Sequence, residues 1–329
     1  RKRLFQIVIA MGGVLILVAA MAVAVGTVKI GPMEVLRALV FPGQSGDPAM
    51  ELIIRQLRLP RVVMALIVGA SLASVGASLQ SLLRNPLADP YLLGVSSGAA
   101  LGAVIGIQIG VGASTGFAFL GALAATALVF VLATRHRRID PQTLLLAGVV
   151  LNSILGAAMT LVMIFLQPHQ IQSIVYWLLG NIRPVGWPTL AALLAGLLAG
   201  FALLQSQARA LDLLAQGEDS ARQLGVRTEL CKVVVLFGSA LLTTLAVSFN
   251  GLVGFVGLIV PHAARFMIGP DNRLLIPASA LIGAAAVAVA DTLARSLLSP
   301  TELPVGAITA IAGGPFFLLL LRRGRRILS

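Results

Sequence analysis

Three histidines, one cysteine and three lysines are what this 329-residue chain offers for metal, covalent or phosphate chemistry. His136, His169 and His262 fall in separate segments, with no H-E-x-x-H pairing and no Cys/His spacing suited to a metal. Lys2, Lys29 and Lys232 are the lysines, and none completes a G-x-x-x-x-G-K-S/T phosphate loop. The chain therefore shows no recognisable ATPase, and any uphill work would draw on an ion gradient or on another subunit. Cys231 alone forms no internal disulfide. Asp291 and Arg295 lie four residues apart on one helix face, in otherwise apolar surroundings. They read as a structural or snorkelling ion pair, or Asp291 reads as a proton-relay carboxylate. Ion-coupled carriers bury such groups near the bilayer midplane, and the scarcity of other charge in the apolar runs argues against proton or sodium symport. The same pair is poorly placed for nucleophilic or metal chemistry within a membrane.

Composition says what must position these residues. The chain is 58% apolar and 11% charged, whereas a soluble domain carries about 25% charge. A soluble globule, a disordered chain and a collagen-like chain are excluded. Abundant Gly and Ala with few aromatics suit close helix packing in lipid. Apolar runs at 4–28, 62–83, 92–112, 117–134, 143–166, 188–205, 232–250, 252–268, 275–293 and 304–321 predict an all-α polytopic membrane protein. At about 20 residues per span, that is about ten transmembrane helices in one domain, 1–329. The run at 252–268 opens on Gly251, Gly254 and Gly257 before Pro261 and is expected to be short or broken. Such breaks are tolerated where protein or a water-filled cavity satisfies the freed backbone groups. The first run carries Ala22-Val23-Ala24, which mimics a cleavage site, but it is longer than a typical signal core and reads as a retained span.

The net charge of +12 would suit nucleic acid, but the basic residues sit in short clusters between apolar runs, which is a topology signal. Ten spans put both termini on one side. With the termini cytoplasmic, 17 Lys and Arg lie inside, including Arg1-Lys2-Arg3 and Arg322-Arg323-Gly324-Arg325-Arg326, and 7 lie outside. That distribution follows the positive-inside rule. The polar segment 29–60 then lies outside and the loop 206–231 in the cytoplasm. Two short helices fit that loop: one over about 209–216 stopped by Gly217, and one starting near Glu218–Ser220 with acidic residues at its positive end and Gly225 closing it. Two compact helices can fill a groove in a partner; a solvated amphipathic loop fits the same pattern. Arg58, Arg61 and Arg295 sit at outward span ends, with Arg58-Leu59-Pro60-Arg61 reading as strand-like or loop. Such arginines anchor a span at the interface, or dock an acidic soluble partner. Asn85-Pro86 reads as a helix stop. A short echo, Asp89-x-x-Leu92-Leu93-x-x-x-Ser97 and Asp271-x-x-Leu274-Leu275-x-x-x-Ser279, fits an internal transporter repeat or coincidence.

Several stretches become specific when taken in order. They are Leu59-Pro60-Arg61, Gly69-Ala70-Ser71-Leu72-Ala73, Asn85-Pro86-Leu87-Ala88-Asp89-Pro90, Leu93-Gly94-Val95-Ser96-Ser97-Gly98-Ala99 and Leu144-Leu145-Leu146-Ala147-Gly148-Val149. Tyr176-Trp177 with Gly180 and Gly217-Glu218-x-Ser220-Ala221-Arg222-Gln223-Leu224-Gly225 follow. The tail adds Gly254-Phe255-Val256-Gly257-Leu258-Ile259-Val260-Pro261-His262, Ala290-Asp291-x-x-Ala294-Arg295, Glu302-Leu303-Pro304-Val305-Gly306 and Gly313-Gly314-Pro315. From about residue 50 onward the chain resembles the FecCD family of ATP-binding-cassette (ABC) importer permeases, which serve iron chelates, haem and vitamin B12.

The resemblance implies a ten-helix permease in the bacterial inner membrane, paired with a second copy of itself, with the pathway along the dimer interface. It implies two ATP-binding subunits on the cytoplasmic side, which hold ATP and Mg, no cofactor in this chain, and a periplasmic substrate-binding protein outside. Leu211, Leu213, Leu214, Gly217, Glu218, Ser220, Ala221, Arg222, Leu224 and Gly225 then match the coupling helices that meet the ATPase. Arg58, Arg61 and Arg295 match the family arginines that pair with glutamates of the binding protein. Asn85, Pro86 and Leu87 match one half of a cytoplasmic gate. The other half falls at Gln142 and Thr143, where this chain has Asp140-Pro141-Gln142-Thr143 in place of small Ser or Thr residues. The resemblance of the tail, through Gly313-Gly314-Pro315-Phe316-Phe317, favours haem, with an iron-siderophore complex or vitamin B12 as alternatives; an ion-coupled secondary transporter is the rival from another class.

Overall fold

The computed structural model describes residues 2–26, 31, 33–35, 37, 48–110, 114–135 and 138–324. Most of the segment 29–47, and Arg1, His136, Arg137, Arg325 and Arg326, lie outside the described residues. The chain is mostly helical. The helices are α1 (Lys2–Ala24), α2 (Pro48–Leu52), α3 (Leu59–Leu82), α4 (Val95–Ile109), α5 (Ser114–Ala133), α6 (Pro141–Met163) and α7 (Pro168–Leu178). They continue as α8 (Trp187–Ser206), α9 (Ala208–Ala215), α10 (Glu218–Gln223), α11 (Thr228–Asn250), α12 (Val256–Ile268), α13 (Asn272–Ser296) and α14 (Val305–Gly324). Among the described residues the only strand pairing is two residues long, Thr134 opposite Ile139. Among the described residues, six helical stretches are long and apolar enough to cross a membrane: 48–82, α5, α6, α8, α11 and α13. The apolar parts of α1, α4, α12 and α14 are shorter.

Local chemistry sets several boundaries. Asp140 caps α6 by accepting from the Thr143 amide, with Pro141 in the first turn, where its missing N–H costs nothing. Gln167 and Gln170 form a reciprocal cap at α7. Asp89 and Asp271 each accept from the amide two residues on, so the two halves of the sequence echo share one capping device. The expected strand-like element at Arg58–Arg61 is helical instead. Ile53–Arg58 forms a π-helical stretch leading straight into α3, and the Leu59 amide bonds back to Ile54 O. That wider turn sits immediately before Pro60, which cannot donate to the ordinary helical ladder.

The helix α3 runs through the centre and is buried almost end to end. It meets α13 backbone to backbone: a Cβ on Gly69 would lie 2.1 Å from Gly283 O, and one on Gly76 would lie 1.8 Å from Gly257 O in α12. By contrast α6 buries only Leu144, Gly148 and Leu151 and leaves the rest of its surface open. The expected break before α12 is present as the non-helical stretch 251–254, with Phe255 at φ 67°. Its backbone is satisfied by protein: Asn250 O accepts from the Asn181 amide, and the Tyr91 hydroxyl both accepts from Val253 N and donates to Val253 O.

Candidate functional site

Two of the three arginines, Arg58 and Arg295, reach the C-terminal end of α1, and Arg61 joins Arg295 through Asp291. Arg58 Nη1 donates to Val23 O at 3.0 Å and to Ala24 O at 2.9 Å, and Arg295 Nη2 donates to Ala22 O. These are carbonyls that a helix end leaves without intrahelical donors. Arg61 Nε reaches both oxygens of Asp291 at 3.0 and 3.2 Å, and its Nη1 reaches Glu302 at 2.9 Å. Asp291 also faces Arg295 at 3.5 Å. The guanidiniums are thus not an exposed rim: Arg58, Arg61 and Arg295 are 6%, 9% and 5% exposed, and Asp291 is 1% exposed. They line a cavity of about 380 Å³ together with Gly26, Pro184 and Glu302.

At the other polar pole, the loop 206–231 carries the two short helices expected of it, α9 and α10. Gly217 (φ 135°) separates them and Gly225 (φ 83°) follows α10, both in conformations that favour glycine. Leu211, Leu214 and Ala221 are buried within this chain, and Leu213 packs half-buried against the same core. The face left open is made of Ser220, Arg222, Gln223, Leu224 and Gly225. Glu218 anchors the loop to α11: it lies 2.9 Å from Lys232 and pairs with Arg222. Burial alone would raise the Glu218 carboxyl, but the hydrogen bond and charge of Lys232 together with Arg222 hold it below its ordinary value. Lys232 is itself a buried hub, donating to Ile139 O and Glu229.

The Asn85 turn lies beside α9. Asn85 Oδ1 accepts from the Leu87 amide at 2.9 Å, the Asn85 amide bonds to Gln80 O, and Leu87 is exposed. Asn85 and Pro86 share a cavity of about 590 Å³ with Gln80, Ser81, Asp212, Gln216, Arg265 and Asn272. Gln142 and Thr143 are exposed at the start of α6 and do not line that cavity. Their local chemistry is that of a helix cap: the Thr143 hydroxyl and amide both reach Asp140, and these bonds hold the Asp140 carboxyl below its ordinary value. Among the described residues, no group of three or more His, Cys, Asp or Glu could hold a metal ion.

Buried charge thus gathers at the N-terminal end of α3, around Arg61, and the short-helix loop packs near its C-terminal end, around Gln80 and Ser81. Residues 14–323 match the FecCD transport family, and the chain belongs to that family. It is a permease of the ABC-importer kind. It is 45% identical over 289 residues to the cobalamin import system permease BtuC of Halobacterium salinarum, covering 87% of this chain and 78% of that protein. It is 38% identical over 318 residues to the hemin transport system permease HmuU of Yersinia pestis, covering 94% and 95%. Among solved structures, a chain described as the inward-facing conformation of an ABC transporter of metal-chelate type superposes with a TM-score of 0.83 at 29% identity, covering 97% of this chain and 99% of that one.

Proposed function

We propose that two copies of this chain form the translocation pathway of an ABC importer in the bacterial inner membrane, with about ten spans each and cytoplasmic termini. Two partner subunits bind ATP and Mg and press on the open face of α9 and α10, around Leu224. A periplasmic binding protein places acidic side chains at the cavity lined by Arg58, Arg61 and Arg295. The Asn85-Pro86-Leu87 turn, with Gln142 and Thr143, forms the cytoplasmic gate. The observation that carries this reading is the family match over nearly the whole chain. The buried arginine cluster narrows how docking works. A partner carboxylate enters a cavity and competes with Glu302, which is 43% exposed and is the accessible acceptor there.

The cargo we propose is a bulky metal complex, haem first or another iron-siderophore complex, with cobalamin as the alternative. The tail motif favours haem, and the 45% identity to a cobalamin permease is what favours the other. The rival class, an ion-coupled carrier, needs a carboxylate free to change its protonation, whereas Asp291 lies between two guanidiniums. The test is uptake by the permease reconstituted with its ATPase and binding protein, offered haem-loaded and cobalamin-loaded binding protein in turn. ATP-dependent uptake that survives an uncoupler is expected, for one cargo and not the other. Uptake that persists without ATP and collapses with the uncoupler would overturn the reading.

A further inference from the structure

A chain of polar side chains runs from α9 to the Asn85 turn. Asp212 Oδ1 accepts from Asn272 at both its backbone amide, 2.9 Å, and its side-chain Nδ2, 2.7 Å. The Asn272 Oδ1 in turn accepts from Ser81 Oγ at 2.7 Å, the same hydroxyl lying 3.0 Å from Ala77 O within α3. Ser81 stands in the last turn of α3, beside Gln80, and Arg265 of α12 joins the two, reaching Gln80 Oε1 at 2.6 Å and Ser81 Oγ at 3.5 Å. Gln80 then closes the route through the backbone of α3, where its backbone carbonyl accepts from the Asn85 backbone amide at 3.1 Å. Four helices, α9, α13, α3 and α12, therefore meet through hydrogen bonds at one point.

The route is held at its far end by a consequence of Pro261. Proline has no N–H, so the carbonyl four residues earlier, Gly257 O, loses its helical donor. Gln80 Nε2 lies 3.3 Å from that carbonyl and 3.1 Å from Leu258 O. Gln80 is 3% exposed, and Ser81 and Asn272 are buried as well, so these bonds do not exchange freely with water. A buried side chain with a full set of partners has one position, and moving one member obliges the next to follow. Asp212 stands on the half-exposed side of α9, next in sequence to the buried Leu211, where a displacement of that helix reaches it first.

We infer that Asp212 is a positioning residue that ties the movement of α9 to the Asn85 turn through Asn272, Ser81, Arg265 and Gln80, so that a push on the loop 206–231 is delivered to the gate. This rests on the importer reading above. Apolar packing of Leu211 and Leu214 holds α9 against the core but carries no direction, because such contacts are non-directional. The hydrogen-bonded route does carry direction.

The test compares the parent with Asp212→Ala, Asp212→Asn, Asn272→Ala and Ser81→Ala, each reconstituted with the ATPase and loaded binding protein. The readout is cargo taken up per ATP hydrolysed, using whichever of haem or cobalamin the parent carries. Asp212→Ala, Asn272→Ala and Ser81→Ala are each expected to lower that ratio about ten-fold, within the span of ordinary coupling energies. Asp212→Asn keeps an acceptor oxygen for the Asn272 amide and is expected to retain most of it. A purely structural role would lower the amount of assembled complex without changing the ratio. Should Asp212→Ala fail to assemble, Ser81→Ala breaks the route without touching α9. Unchanged ratios in both Ser81→Ala and Asn272→Ala would overturn the inference. A parent showing no ATP-driven uptake would instead defeat the importer reading. In that event hydrogen exchange at the Asn85 amide of the purified permease decides the linkage: faster exchange in Asp212→Ala and Ser81→Ala supports it, and unchanged protection in both overturns it.

Discussion

Asp291 holds two guanidiniums in a position almost closed to water, and the cost of losing it is set by what remains. Asp291→Asn leaves Arg61 and Arg295 facing each other across a neutral amide, with Glu302 serving Arg61 alone. Removing one partner of a buried ion pair costs about 3–5 kcal/mol, because the other charges stay buried without compensation. Thermal unfolding of the purified protein in detergent is expected to show that loss as a lowered midpoint. Glu302→Gln should change the midpoint little, since a half-exposed pair contributes about 0–1 kcal/mol; equal effects of the two substitutions would sink the account. Glu218 makes a pH prediction of opposite origin. Its folded pKa is depressed, so its contribution is complete above the ordinary carboxylate value and disappears as pH falls through the depressed one. Amide protection factors in α10 and at the start of α11, corrected for the intrinsic pH dependence of exchange, are expected to fall over that acid range, and Glu218→Gln should remove that fall. An unchanged acid response in Glu218→Gln would assign it to another group.

At the scale of elements, the fold depends on how close the backbone of α3 comes to its neighbours. Gly76 and Gly257 touch, so Gly76→Val must separate α3 from α12, an overpacking penalty of at least about 1–3 kcal/mol. A Cβ on Gly12 in α1 would meet nothing within 4 Å outside its own helix backbone, and Gly12→Val is the matched control. Folded yield in the membrane and detergent stability are expected to fall for Gly76→Val and to hold for Gly12→Val. The apolar runs were legible because lipid imposes a length and a composition on every span, and the two helices of the loop 206–231 were legible because Gly217 and Gly225 punctuate them. The α7 helix was missed, since eleven amphipathic residues carry no lipid signature; the Gln167 and Gln170 cap was the available signal. The site was half legible. The four-residue spacing of Asp291 and Arg295 shows in the sequence, but Arg61 lies 230 residues from Asp291, and the α1 carbonyls that occupy Arg58 and Arg295 carry no side-chain signature. Exposure was therefore expected where the structure shows burial. The route from Asp212 to Gln80 was hidden for the same reason, because it joins four helices distant in sequence.

For the whole molecule, the path of the chain through the bilayer turns on α12. Thirteen helical residues rise about 20 Å, too short for a hydrocarbon core of about 30 Å. The non-helical residues 251–254 and Phe255 lead into α12, and four residues span at most about 13 Å, so the combined segment can reach the required length. Backbone of this kind survives at membrane depth only when protein satisfies it, which Tyr91 and Asn181 do. If the segment crosses, α11, α12 and α13 make three passes, and residue 224 lies on the opposite side from residue 298. If it does not cross, two passes put both on the same side. Cys231 is buried, so the chain supplies its own quiet background for thiol labelling. Leu224 is 64% exposed and Leu298 is 59% exposed, and either can be replaced by Cys without opening the core. An impermeant maleimide applied to right-side-out vesicles is expected to label Leu298→Cys and to spare Leu224→Cys until the vesicles are opened. Labelling of both from the same side would remove α12 from the spans, reverse the side assigned to one pole of the molecule, and separate the loop 206–231 from the ATPase it is proposed to meet.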